Sequence, residues 1–138
     1  MNIDIVQDFV KAINSANITK ICDLITQDHL FIDSQDNRLA GKENMKLAWL
    51  EYFTLFPDYK IEVNKIFETD SEICAFGHAS ATYLNMKNKD NSNFWRIPAA
   101  WRATMRDKQI CVWQVYADNS VVLEIVKKNQ ANLFDATL

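Results

Sequence analysis

From Tyr59 to Ala117 apolar and polar residues alternate along four successive stretches, and this narrows the fold more than any other feature of the sequence. A period of two places neighbouring side chains on opposite faces of a sheet. The stretches are Tyr59 to Phe67, Ile73 to Leu84, Phe94 to Met105 and Gln109 to Ala117, rich in aromatic and β-branched residues. The joins Glu68-Thr69-Asp70 and Arg106-Asp107-Lys108 are tight, so antiparallel neighbours are expected there. Lys87 to Asn93 is a polar, turn-forming run that reads as an exposed hairpin loop.

The first third of the chain follows a different period. Ile3, Val6, Phe9, Val10 and Ile13 recur at helical spacing from Asn2 to Asn14, and Ile18, Ile21, Leu24 and Ile25 repeat the pattern. His29 to Asp33 reads as a short apolar strand, with a turn at Asp36-Asn37. A helix is then predicted from Lys42 to Phe56, stopped by Pro57. Asn119 to Lys128 fits a final helix or an extension of the last strand. Helices first and a strand meander last predict an α+β domain with helices on one face of a bent sheet.

With 138 residues, two glycines, two prolines and no linker-like stretch, the chain is expected to form one domain over residues 1–138. A net charge of −3 argues against nucleic acid, whose binding rests on Lys and Arg neutralising phosphates. No apolar run approaches the roughly 20 residues of a membrane span. Met1-Asn2-Ile3-Asp4 lacks the order of a signal peptide, so a cytoplasmic location is expected. Cys22, Cys74 and Cys111 show no paired spacing and read as buried free thiols. With only His29 and His78 beside them, neither a metal nor a cofactor is expected, and no nucleophile elbow or phosphate loop is present.

The alternation also assigns faces. Ile73, Ala75, Gly77, Ala79, Ala81 and Tyr83 share one side, as do Trp95, Ile97, Ala99, Trp101, Ala103 and Met105, and this set is assigned to the concave, helix-facing side. Small residues beside large indoles leave room for a cavity, or let a helix pack close to a curved sheet.

Val6 to Asn14, continuing through Asp28 to Asp33, resembles the opening of the ketosteroid isomerase family. Phe56-Pro57-Asp58-Tyr59 and Ile110 to Asp118 resemble segments of the SnoaL-like polyketide cyclases. The resemblance spans nearly the whole chain. It implies the cone-shaped fold of nuclear transport factor 2 and cystatin, a strongly bent, mostly antiparallel sheet with the N-terminal helices on its concave face. It puts Asp33 at the place of the isomerases' proton-shuttling carboxylate. Phe9 stands where that family keeps an oxyanion-stabilising tyrosine, and Trp101 falls near the place of the protonated acid, so the usual pair of donors is missing. Asp118 stands near the acid/base aspartate of the cyclases, but strand parity turns it to the outer face.

Two readings of Asp33 stand side by side. Among aromatic rings its carboxyl is a general acid or base; beside the Asp36-Asn37 turn it caps a loop by accepting backbone N–H bonds. Phe9, Trp49, Phe53, Tyr59, Trp95, Trp101 and Trp113 are candidates to line a pocket for a small apolar or aromatic ligand, or to be plain core. The outer row of Arg96, Arg102 and Arg106, with Phe76, Phe94 and Val112 nearby, is expected either to be solvated or to meet a second copy. The functions expected are therefore a cofactor-free isomerase, cyclase, dehydratase or hydrolase using Asp33, or a non-catalytic ligand-binding or protein-association module that forms a homodimer through the sheet.

Overall fold

The stripe of Val6, Phe9 and Ile13 does what its spacing demands. It buries one side of α1 (Asn2–Asn14), and α2 (Ile18–Asp23) follows with Asn17 capping it through the Lys20 N–H. In this computed structural model the described residues are 2–86 and 90–137, with side chains described up to residue 130. Lys87 to Lys89, within the expected hairpin loop, lie outside them.

The strands are β1 (Ile25–Ile32), β2 (Arg38–Ala40), β3 (Lys60–Glu68), β4 (Glu72–Thr82), β5 (Phe94–Arg106) and β6 (Gln109–Tyr116). They form one sheet in the order β2-β1-β6-β5-β4-β3, curved and not closed, with β1 parallel to β6 and the other pairs antiparallel. α3 (Lys42–Leu55) lies between β2 and β3, and α4 (Ser120–Thr137) follows β6. The α+β class, the bent and mostly antiparallel sheet and the helices on its concave face are as expected.

Three local readings change, and one left open is decided. The first strand begins at Ile25 rather than His29, because the helix ends at Asp23 and Ile25 pairs with Ile110 at the start of β6. A short strand, β2, forms after the Asp36-Asn37 turn, where Asp36 takes a φ of 66°. β4 stops at Thr82, and Tyr83–Asn85 turn as a 3₁₀ segment. The segment after Asn119 is a helix, not an extended strand.

Side-chain parity holds along the long strands. Ile73, Ala75, Ala79 and Ala81 of β4 and Trp95, Ile97, Ala99, Trp101, Ala103 and Met105 of β5 are all buried on the concave side. Gly77 sits in the same row for reasons of space. β3 carries a register shift between Val63 and Lys65, and this bulge brings the Glu62 carbonyl over the position a Gly77 side chain would fill.

Candidate functional site

α3 presents its aromatic residues to the concave face, where they meet the ends of β4 and β5. Trp49 stacks on Phe53 at 5.3 Å and meets Tyr52 edge-on at 6.2 Å. Tyr52 contacts Phe56 and Tyr59 at 5.1 and 4.9 Å, and Phe56 contacts Tyr83 and Trp95 at 6.2 and 5.5 Å. Tyr59 closes the chain of rings against Trp95 at 6.1 Å. Four of the predicted pocket residues, Trp49, Phe53, Tyr59 and Trp95, therefore come together. Phe9 and Trp113 form a separate edge-on pair at 4.9 Å beneath α1.

Tyr52, Phe56 and Tyr83 complete the aromatic wall and were not among the predicted site residues. The signal was in the helix: Trp49, Tyr52, Phe53 and Phe56 are spaced three and four apart, which puts them on one face.

The buried polar side chains of the protein, among the described residues, are Thr26, His29, Ser80, Thr82 and Asn93, of which Ser80 and Thr82 alternate to the face of β4 opposite Ala79 and Ala81, and none is a carboxylate, Lys or Arg. His29 Nδ1 lies 2.7 Å from the Ile110 carbonyl and donates to it, and burial holds the imidazole pKa below 6.5, which keeps it neutral. Burial likewise pushes the Tyr52 and Tyr59 phenols above their ordinary value, so both remain protonated donors.

Two buried indole donors have no hydrogen-bond acceptor among the described residues: Trp95 Nε1 and Trp101 Nε1. An unmatched buried N–H costs about 1–3 kcal/mol, and such groups are rare enough to mark a site of interest. Trp95 stands edge-to-face with Phe56, an interplanar angle of 89°, so its surroundings are ring faces. Trp101 makes no such ring contact among the described residues. It is 1% exposed and among the largest fully buried side chains. Six residues of strand separate the two tryptophans, roughly 20 Å along β5, so the two N–H groups serve different parts of the interior.

Asp33 turns into its own loop. Its carboxylate accepts from the backbone N–H groups of Gln35 and Asn37, both at 2.9 Å, and from Asn37 Nδ2 at 3.1 Å. This geometry matches the loop-capping reading. Asp118 is exposed and accepts from the Ser120 N–H at 3.1 Å, which holds its carboxyl below the usual range while it starts α4.

Two surface depressions lie away from the aromatic wall. One, of about 350 Å³, is lined by Thr26, Gln27, Asp28, Arg106, Asp107 and Gln109 and crossed by the Arg106–Asp28 ion pair. The other, of about 460 Å³, lies on the outer face of the sheet between Phe76, Pro98 and Tyr116. Among the described residues no group of three or more His, Cys, Asp or Glu side chains is placed to hold a metal. No described helix is long and apolar enough to cross a membrane.

The sequence model of the SnoaL-like domain matches residues 6–113. No curated protein matches the chain in sequence. Solved structures resemble it throughout. A protein with a ketosteroid isomerase-like fold from Catenulispora acidiphila, in complex with trimethylamine, is 16% identical; the match covers 87% of this chain and 89% of that one, at a TM-score of 0.75. A protein named as a SnoaL-like polyketide cyclase from Shewanella denitrificans is 10% identical over 92% and 97%, at 0.77. An NTF2-like protein of unknown function from Cytophaga hutchinsonii is 19% identical over 89% and 95%, at 0.69. At these identities the likeness is one of fold.

Proposed function

Because the chain belongs to the family of SnoaL-like domains, we propose that it binds a small, flat, uncharged molecule on the concave side of its sheet, with the Trp101 N–H donating to an acceptor atom of that molecule. The observation that carries this reading is the unpartnered Trp101 Nε1 on a side chain only 1% exposed. A buried donor without a protein acceptor favours a guest that supplies one. The uncharged polar set and the neutral His29 favour a neutral guest over an ion, since no buried counter-charge would offset the desolvation of a charged one. Asp33 is assigned to its loop and not to proton transfer, and no cofactor is invoked. A cytoplasmic setting, where the three free thiols stay reduced, belongs to the same reading.

The test uses two probes of one shape, 9-fluorenone and fluorene, which differ by a carbonyl acceptor. The ratio of their affinities isolates the hydrogen bond from packing. Trp101→Phe is expected to reduce the preference for fluorenone about three- to tenfold, the worth of one hydrogen bond. An unchanged ratio overturns the role of Trp101, and failure of both probes to bind the native protein overturns the site for ring systems of this size.

A second reading concerns the outer face. Phe76, Ala100 and Tyr116 stand in register across β4, β5 and β6, and Phe67 meets Phe76 at 6.0 Å. Phe67, Phe76 and Tyr116 are 57%, 46% and 51% exposed. We infer that two copies associate through this apolar row, which leaves the concave site free. Sedimentation equilibrium is expected to show a dimer that Phe76→Glu weakens at least tenfold; a native protein that stays monomeric overturns it.

A further inference from the structure

The sheet ends on β2, three residues long, and on β3, nine residues long. A long outer strand presents a row of backbone N–H and C=O groups that invites pairing with another chain. Here α1 is tied to β3 at both ends. At one end the Ile3 N–H donates to Glu68 Oε2 at 3.0 Å. At the other the Asn14 carboxamide donates from Nδ2 to the Ile61 carbonyl at 3.0 Å, and its Oδ1 accepts from the Ile61 N–H at 2.8 Å.

Those two bonds copy what a neighbouring strand offers, since in an antiparallel ladder a residue exchanges both its N–H and its C=O with one partner. Asn14 supplies the same donor and acceptor from a side chain, which cannot propagate the ladder. Its place is fixed, because Ser15 Oγ donates to the Lys11 carbonyl and the Asn17 N–H to the Ala12 carbonyl, both at 2.9 Å, and close the end of α1. Beyond Ile61, Val63 turns its backbone polar groups to the same edge. The register shift between Val63 and Lys65 then breaks the edge, so its regular stretch is Lys60 to Val63.

The side chains beside Ile61 say which partner this stretch fits. Ile61 is buried, so Lys60 and Glu62 both stand on the opposite face. With β3 of a second copy laid antiparallel, Ile61 opposite Ile61, Lys60 faces the partner's Glu62 and Glu62 faces the partner's Lys60. Opposite charges directly across such a pair are favourable, so the segment is complementary to itself. Within the chain, Arg96 meets only Oε2 of the Glu62 carboxylate, at 3.4 Å.

We propose that Asn14 is a lock on this edge: it occupies the backbone of Ile61 and so prevents β3 from pairing, antiparallel, with β3 of a second copy. An edge pair of this kind uses main-chain groups of β3, and neither the concave site nor the apolar row around Phe76.

Hydrogen exchange of the native chain reads the lock directly. The Ile61 amide, held by Asn14, is expected to exchange at least about tenfold more slowly than the Val63 amide, which faces the same edge beyond it; equal rates overturn the lock. Self-association is then followed by sedimentation velocity in Phe76→Glu, where the outer face no longer contributes. Adding Asn14→Ala to this reference is expected to strengthen association at least about tenfold, two backbone hydrogen bonds being freed for a partner. Asn14→Ser, too short to span both groups of Ile61, is expected to do the same and replaces the alanine variant if that one does not fold. Adding Lys60→Glu sets like charges across the pair and is expected to restore the reference state. An Asn14 variant that keeps its circular dichroism and gains no association overturns the proposal. So does a gain that Lys60→Glu leaves in place, since another surface is then responsible. Should neither Asn14 variant fold, the comparison of Ile61 with Val63 decides.

Discussion

Replacing Gly77 by Ala adds one methyl group to the concave row of β4, where every neighbour in the row is already alanine or larger. The added Cβ would stand 1.8 Å from the Glu62 carbonyl oxygen, 2.8 Å from its carbon and 3.1 Å from Val63 Cα. All three are backbone atoms, so no side-chain rotation relieves the clash. Gly77 does not occupy the left-handed region, and the penalty is therefore one of space alone. Either β3 loses the bulge between Val63 and Lys65 or the β3–β4 ladder separates locally. Overpacking of a tight site costs about 1–3 kcal/mol, and a clash with the main chain of β3, which no rotamer change relieves, belongs at the upper end. Over 138 residues an unfolding entropy of about 2.1 cal/mol/K per residue gives about 290 cal/mol/K, so a loss of about 3 kcal/mol lowers Tm by about 10 °C. Scanning calorimetry on the two proteins measures this directly. A drop of less than about 2 °C would show that the bulge absorbs the methyl, and would refute the argument that it fixes the residue at this position.

Asp33→Ala removes the acceptor of three loop hydrogen bonds and is expected to cost about 1–2 kcal/mol, while changing the affinity for 9-fluorenone by less than about twofold; a tenfold loss of binding would return Asp33 to the site. For His29 the folded state holds the pKa below 6.5, so the unfolded chain takes up the proton first. Its contribution is complete above about pH 6.5 and declines as the pH falls toward the folded value. The slope of Tm between pH 7.5 and about 5 should therefore be smaller in His29→Phe than in the native protein, and parallel slopes would mean that the imidazole is not the titrating group.

Much of this architecture was legible because side-chain period reports burial directly. α1 ends at Asn14 as the spacing predicts, and β5 buries its predicted face along its whole length. What periodicity does not encode is partnership. Nothing in His29 to Asp33 says that the strand runs parallel to one ending at Tyr116, and three residues of β2 are too few to carry a pattern. The start of β1 was missed because Leu24 and Ile25 continue the helical spacing of Ile18 and Ile21. At the site, the rings of α3 were visible as a helical stripe. Asp33-Ser34-Gln35-Asp36-Asn37 reads both as a carboxylate at a strand end and as a loop cap, and the hydrogen bonds to Gln35 and Asn37, which support the second, are not written in the sequence. The unpartnered N–H of Trp101 is likewise a property of the packed interior.

The parallel pair of β1 with β6 has a consequence for how the chain reaches this state. Ile25 is paired with Ile110, so partners 85 positions apart in sequence must meet before the middle of the sheet exists. At a synthesis rate of about 5–20 residues per second, α1, α2 and β1 leave the ribosome roughly 4 to 17 s ahead of the strand that completes them. During that interval one edge of β1 is unpaired. The consecutive strands from β3 to β6 close mostly local hairpins and assemble quickly once made. Insertion of β1 beside β6 is then the slow, long-range step, and the one at which a chaperone or a second nascent copy competes with the native partner.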